Sequence, residues 1–151
     1  TGIKLEKEVT IDIYGEGSLK EDLNNTALDK NLNINFLGSI NHEELILIYQ
    51  QYNYFLSTSE FEGNPKTILE ALANGCVVFA KNNENNAEII RHGENGYLFS
   101  STSELVDMFN NEFRNKDLLL KKDNYEYLQN NNIDVICKKM YKDYKDLMEF
   151  K

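Results

Sequence analysis

A chain of 151 residues, 41% hydrophobic and 27% charged, fits one ordinary domain with a sizeable core. Its formal charge of -9 at pH 7 disfavours nucleic acid and anionic membrane surfaces as partners, and no apolar run approaches the ~18 residues of a spanning helix. Any phosphate bound here must be held locally, by backbone N–H groups and a helix terminus.

In chain order, β-rich runs alternate with amphipathic ones. Val9 to Tyr14 predicts a strand and Ser18 to about Lys30 a helix; Ile34 to Leu37 and Glu43 to Gln51 repeat the pair. Tyr54 to Ser57 precedes a helix from Pro65 to Asn74, Val77 to Ala80 precedes Ala87 to Arg91, and Tyr97 to Phe99 is a last short strand. This alternation predicts parallel crossovers: an α/β, Rossmann-like, three-layer domain with a mainly parallel sheet of about five strands and a helical C-terminus. Ligands are then expected beyond the C-terminal ends of the strands.

Local signals agree. Asn41, with Glu44 three residues on, resembles a capping box, and Gly93 after Ile89-Ile90-Arg91-His92 suits a helix end. Asn82-Asn83 and Asn130-Asn131-Asn132 read as loops and caps. From Ser103 the chain turns helical, and Ile133, Ile136, Met140, Tyr144 and Leu147 form one apolar face, predicting a packed final helix. Cys76 and Cys137, with no CxxC between them, are expected to be buried thiols. His42 and His92 are expected in separate loops, without the spacing of metal ligands, so no metal site is expected.

The most ordered segment is Ser59-Glu60-Phe61-Glu62-Gly63-Asn64-Pro65-Lys66-Thr67-Ile68-Leu69-Glu70-Ala71-Leu72-Ala73-Asn74-Gly75. Asn64 suits an N-cap, Pro65 the first helical position and Gly75 the position past the end. The helix N-terminus would offer the Lys66 and Thr67 N–H groups to a phosphate, with the Lys66 ammonium adding charge. Glu62 in the loop and Glu70 inside the helix should lie roughly 8–15 Å apart, too far for the ~5–9.5 Å carboxylate pair of a glycosidase. That gap suits the two hydroxyl-bearing ends of a nucleotide sugar, although on spacing alone the acids could equally be ordinary helix-start residues.

Glu62 and Glu70, each followed by a small residue in Gly63 and Ala71, resemble the signature of the group 1 retaining glycosyltransferases. Ile13-Tyr14-Gly15-Glu16-Gly17, Phe36-Leu37-Gly38, Ala87-Glu88-Ile89-Ile90 and Gly93-Glu94-Asn95-Gly96 resemble the family's other blocks, in order, from about Val9 to Phe99. The resemblance implies the C-terminal donor-binding half of a GT-B enzyme. Glu62 would be the catalytic residue, holding the sugar hydroxyls, and Glu70 would hold the ribose. The backbone from Gly63 through Asn64, Lys66 and Thr67 would hold the diphosphate and sugar, with Gly15 and Gly17 bordering the phosphates. Gly38, Ser39 and Ile40 would line the nucleobase, and Ser59 would stand nearby. It further implies transfer from a UDP- or GDP-type sugar to a polysaccharide or lipid-linked glycan, with no cofactor and no metal. The partners implied are the nucleotide sugar and an N-terminal acceptor-binding domain of the same protein, without nucleic acid or membrane insertion. The location implied is cytoplasmic, with the full-length enzyme near the inner face of the membrane.

Departures accompany the match. The family's upstream strand, central in its usual sheet, and the Arg and Lys after it fall before Val9, and Lys4 and Lys7 do not match them. The start at Thr1-Gly2 is read as a piece of a longer protein, unable to transfer sugar alone, and Glu84-Asn85 replaces a frequent Gly-Gly. A nicotinamide dehydrogenase fits less well, because Gly15-Glu16-Gly17-Ser18-Leu19-Lys20 lacks a third glycine and no acidic residue ends the next strand. A GT-B-type nucleotide-sugar epimerase, separable by product analysis, and a non-catalytic nucleotide-sugar-binding domain are the remaining alternatives.

Overall fold

The computed structural model describes residues 9–61, 63, 65–114, 138, 142 and 145. Five strands alternate with five helices: β1 (Ile11–Tyr14), α1 (Lys20–Asp29), β2 (Ile34–Gly38), α2 (His42–Tyr49), β3 (Tyr54–Ser57), α3 (Lys66–Ala73), β4 (Val77–Lys81), α4 (Glu84–Ile89), β5 (Gly96–Phe99) and α5 (Thr102–Arg114). Every strand pair is parallel, as the alternation requires. The strands form two groups, β1-β2 and β3-β4-β5. A side-chain network ties the groups together: Tyr52, just before β3, donates to Asp12 on β1, and its hydroxyl lies 3.3 Å from that of Tyr14.

Strand β4 shows why the larger group is stable. Its run Val77-Val78-Phe79-Ala80 is buried on both faces, the pattern of a strand covered by helices on either side. Val78 and Ala80 face Ile68, Ala71 and Leu72 of α3 together with Tyr49, Cys76, Ile89 and Ile90. Val77 and Phe79 face α5 through Phe109. Phe79 stacks on Tyr97 at 4.8 Å and on Phe109 at 4.0 Å between ring centroids. Gly96 enters β5 so closely that an added Cβ would lie 2.8 Å from the Val78 carbonyl.

The helix ends follow the sequence in most places. Asn41 caps α2 by accepting from the Glu44 N–H at 2.9 Å, and Asn83 caps α4 by accepting from Asn86 at 2.9 Å. Helix α3 closes with Gly75 at φ +85, where Gly75 N donates to Leu72 O and Cys76 N to Ala71 O, the paired bonds of a Schellman ending.

Some boundaries differ from expectation. Pro65 is not the first residue of α3 but its cap, and Asn64 lies outside the described residues. Helix α4 runs from Glu84 to Ile89 rather than from Ala87 to Arg91, because Asn83 starts it a turn early. Ile90 is then extended, so Gly93 does not end the helix; it turns the chain at φ +78, and its N–H donates to Gly96 O. Asn95 organises this turn, accepting from Arg91 N at 2.7 Å and donating to Ile89 O at 3.1 Å. Asn130 to Asn132, Cys137 and the stripe from Ile133 to Leu147 also lie outside the described residues.

Candidate active site

The expected site segments gather beyond the C-terminal ends of β1, β2 and β3. The first two meet directly. Between Ile13 and Tyr14 the register slips, so that Ile13 faces Phe36 while Tyr14 faces Gly38, and Leu37 becomes the extra residue of a bulge. The bulge turns the Gly38 carbonyl toward Gly15, whose N–H donates to it at 2.7 Å. Gly38 has φ +77, a left-handed conformation that calls for glycine at the β2 turn. Lys20, in the first turn of α1, pairs with Glu16 at 3.2 Å. Gly17 and Ser39 are exposed, and Ile40 is partly covered.

The third segment is the loop from β3 to α3. It is held from the next loop: Lys81 at the end of β4 pairs with Glu60 Oε1 at 3.1 Å, and Asn83 Nδ2 donates to the Ser59 carbonyl at 3.3 Å. Ser59 thus serves the loop through its backbone, and its residue surface stays exposed, as do Gly63, Lys66 and Thr67. Pro65 is buried, and its carbonyl accepts from Ile68 N at 3.1 Å, which begins α3. The Lys66 and Thr67 N–H groups then precede the first intrahelical bonds, where an anion is favoured. Glu62, expected to be the catalytic carboxylate, lies outside the described residues.

Glu70 joins these segments. Its side chain is 23% exposed, and Oε1 lies 3.9 Å from His42 Nδ1. His42 is the first residue of α2, not a loop residue, and it follows Gly38-Ser39-Ile40 by one residue. Tyr49 stands at the other end of α2, and its phenol is pushed up to about 12, first by burial and then by the Glu70 charge.

Sequence reading did not assign His42 or Tyr49 to the site. The signal was present, because seven residues are about two turns and put both on one face of α2. Glu60, Lys81 and Asn83 were missed as well, since their pairing joins loops about 20 residues apart and leaves no local pattern.

The second histidine, His92, stands apart from Glu70, accepting from the Leu98 N–H at 3.1 Å beside β5. Cys76 is buried, with its thiol 3.3 Å from the Tyr49 carbonyl, and burial pushes it up to about 11, so it is a packing residue as expected.

The family described as Glycosyl transferases group 1 matches residues 2–134. The UDP-N-acetylglucosamine–peptide N-acetylglucosaminyltransferase GtfA subunit of Streptococcus agalactiae is 33% identical over 96 residues, 63% of this chain and 19% of that protein. The same subunit from Streptococcus pneumoniae is 33% identical over 101 residues, 66% of this chain and 20% of that protein. The chain thus spans about a fifth of the length of these curated relatives. Among solved structures, Anabaena HepE in complex with UDP and glucose is similar over 95% of this chain and 42% of its own, with TM-score 0.80 at 18% identity. TarM is similar over 72% of this chain and 23% of its own, with TM-score 0.64 at 26% identity.

Proposed function

Since the chain belongs to the group 1 glycosyl transferases, we propose that it is the donor-binding half of a retaining transferase, taking a UDP sugar and serving an acceptor held by another domain of the same protein. The observation that carries this reading is the largely covered Glu70 carboxylate, 3.9 Å from His42 at the start of α2. Base, ribose and diphosphate are consecutive parts of one ligand. A carboxylate between the Gly38-Ser39-Ile40 turn and the α3 N-terminus falls where the ribose hydroxyls come, and it can accept from two adjacent hydroxyls.

Transfer breaks the bond between the anomeric carbon and the diphosphate oxygen and forms a bond from the acceptor oxygen on the same face of the sugar. Negative charge develops on the departing diphosphate. The backbone N–H groups of Gly63, Asn64, Lys66 and Thr67, the α3 dipole and the Lys66 ammonium stabilise that charge without a divalent ion. Gly15 and Gly17 border the same phosphates, and Glu62 accepts from the sugar hydroxyls and fixes the sugar's orientation. The Lys81–Glu60 pair and the Asn83 bond hold the loop that carries Glu62.

The relatives' names favour UDP over GDP and N-acetylglucosamine as the sugar. They also favour a polypeptide acceptor over a polysaccharide or lipid-linked glycan, and a second subunit as partner.

Calorimetry on the full-length protein with UDP and UDP-N-acetylglucosamine tests the assignment. Glu70→Gln should weaken both ligands by about tenfold, the loss of a charge-assisted bond of ~1.5–3 kcal/mol. Glu62→Gln should weaken only the nucleotide sugar. Equal losses on both ligands from Glu62→Gln, or no loss from Glu70→Gln, would remove the assignment. Transfer should also survive a chelator; activity lost to EDTA and restored by magnesium would contradict the metal-free reading.

A further inference from the structure

The two sides of the donor site stand on different strand groups. The Gly15-Glu16-Gly17 turn follows β1 and the α3 N-terminus follows β3, and among the described residues no ladder joins β1 to β3. Tyr52 spans that boundary. Its backbone belongs to the β3 side: Tyr52 N donates to the Tyr49 carbonyl at 3.2 Å, its own carbonyl accepts from the Cys76 thiol at 3.5 Å, and its side chain packs against the buried cluster that holds Cys76 and Ile68. Its hydroxyl reaches the other side, donating to Asp12 Oδ2 and lying 3.3 Å from the Tyr14 hydroxyl. Asp12 and Tyr14 are two residues apart on β1 and so share one face of the strand. The second oxygen of Asp12 accepts from Asn35 Nδ2 on β2 at 2.7 Å, which fixes the carboxylate that Tyr52 meets. Tyr14 is followed directly by Gly15, whose N–H donates to Gly38 O at 2.7 Å.

We propose that Tyr52 is a positioning residue for the donor diphosphate: its hydroxyl, bonded to Asp12 and beside Tyr14, anchors the end of β1 to the β3 side and thereby sets the spacing between the Gly15-Glu16-Gly17 turn and the α3 N-terminus. A ligand that must touch both loses affinity when that spacing varies, because binding then has to order it. Base and ribose contacts depend less on this tie. The Gly38-Ser39-Ile40 turn runs directly into α2, and α2 packs on α3, with Tyr49 in the same buried cluster as Ile68, Ala71 and Leu72. The inference rests on the reading of the Gly15-Glu16-Gly17 turn and the α3 N-terminus as the two phosphate-binding sides.

The test is calorimetry of UDP on the full-length protein, with uridine measured by its competition against UDP. Tyr52→Phe keeps the ring and removes the hydroxyl; it should weaken UDP by about three- to tenfold and leave uridine unchanged. A merely structural role would weaken both ligands alike, and that result overturns the inference. So does an unchanged UDP affinity in Tyr52→Phe when the wild type binds UDP far more tightly than uridine, an outcome that leaves the phosphate reading standing. If the wild type binds UDP no more tightly than uridine, the phosphate reading fails and the inference fails with it. Should Tyr52→Phe not fold, Asp12→Leu removes the acceptor from the β1 side instead. It is judged by the same split: a loss confined to UDP supports the inference, and equal losses or none overturn it.

Discussion

The β1-α1-β2 region and the β3-β4-β5 region share one local plan, a parallel strand pair crossed by a helix, yet they are packed very differently. In the first region Ala27 is the buried hydrophobic residue, while Ile11, Leu19, Leu23, Leu28, Leu32 and Leu37 are exposed. In the second, β4 is covered on both faces and α3 buries Ile68, Ala71 and Leu72. The difference shows how the site is divided. The Gly15-Glu16-Gly17 and Gly38-Ser39-Ile40 turns stand on the sparsely packed region, whereas the α3 N-terminus and Glu70 stand on the densely packed one.

Mutations that probe packing should separate the regions by size of effect. Phe79→Ala empties a site between two stacked rings and should cost about 3–5 kcal/mol. Gly96→Ala drives a methyl into the Val78 carbonyl and should cost about 1–3 kcal/mol. Lys81→Met removes one ion pair and should change stability by under about 1 kcal/mol. Leu28→Ala, at a residue 70% exposed, should stay within about 0.5 kcal/mol. Denaturant unfolding measures all four, and a Leu28→Ala cost near that of Phe79→Ala would erase the contrast between the regions.

Alkali should act on the same side. Tyr49 and Cys76 stay neutral in the folded chain to about 12 and about 11, above their ordinary values of 10.0 and 9.0. The stability they contribute is full below the ordinary values and is lost as pH rises through the raised ones, because the unfolded chain releases those protons first. The melting temperature should therefore fall between pH 9 and 12. A flat profile over that range would contradict the enclosed environment of both groups.

Much of this was legible in the sequence because the signals were local. Strand β3 falls where the residues placed it, and Asn41 and Gly75 act as the cap and ending their types suggest. The start of α4 was read late, since an Asn cap at Asn83 competes with the apolar pattern from Ala87, and a single sequence does not rank the two. The division of the strands into two groups is a tertiary property with no local signal. Among the candidate site residues, Glu70 was singled out by its spacing together with the family resemblance, whereas its neighbours His42 and Tyr49 required the packing of α2 against α3.

The central claim is that this domain binds a nucleoside diphosphate through its ribose and phosphates, and calorimetry with UDP, GDP, ADP and 2′,3′-dideoxy-UDP on the full-length protein tests it most directly. UDP should bind most tightly, and removal of both ribose hydroxyls should weaken it by at least about tenfold, the loss of charge-assisted bonds to Glu70. Equal affinity for UDP and its dideoxy form, or no measurable binding of any of the four, would contradict the account.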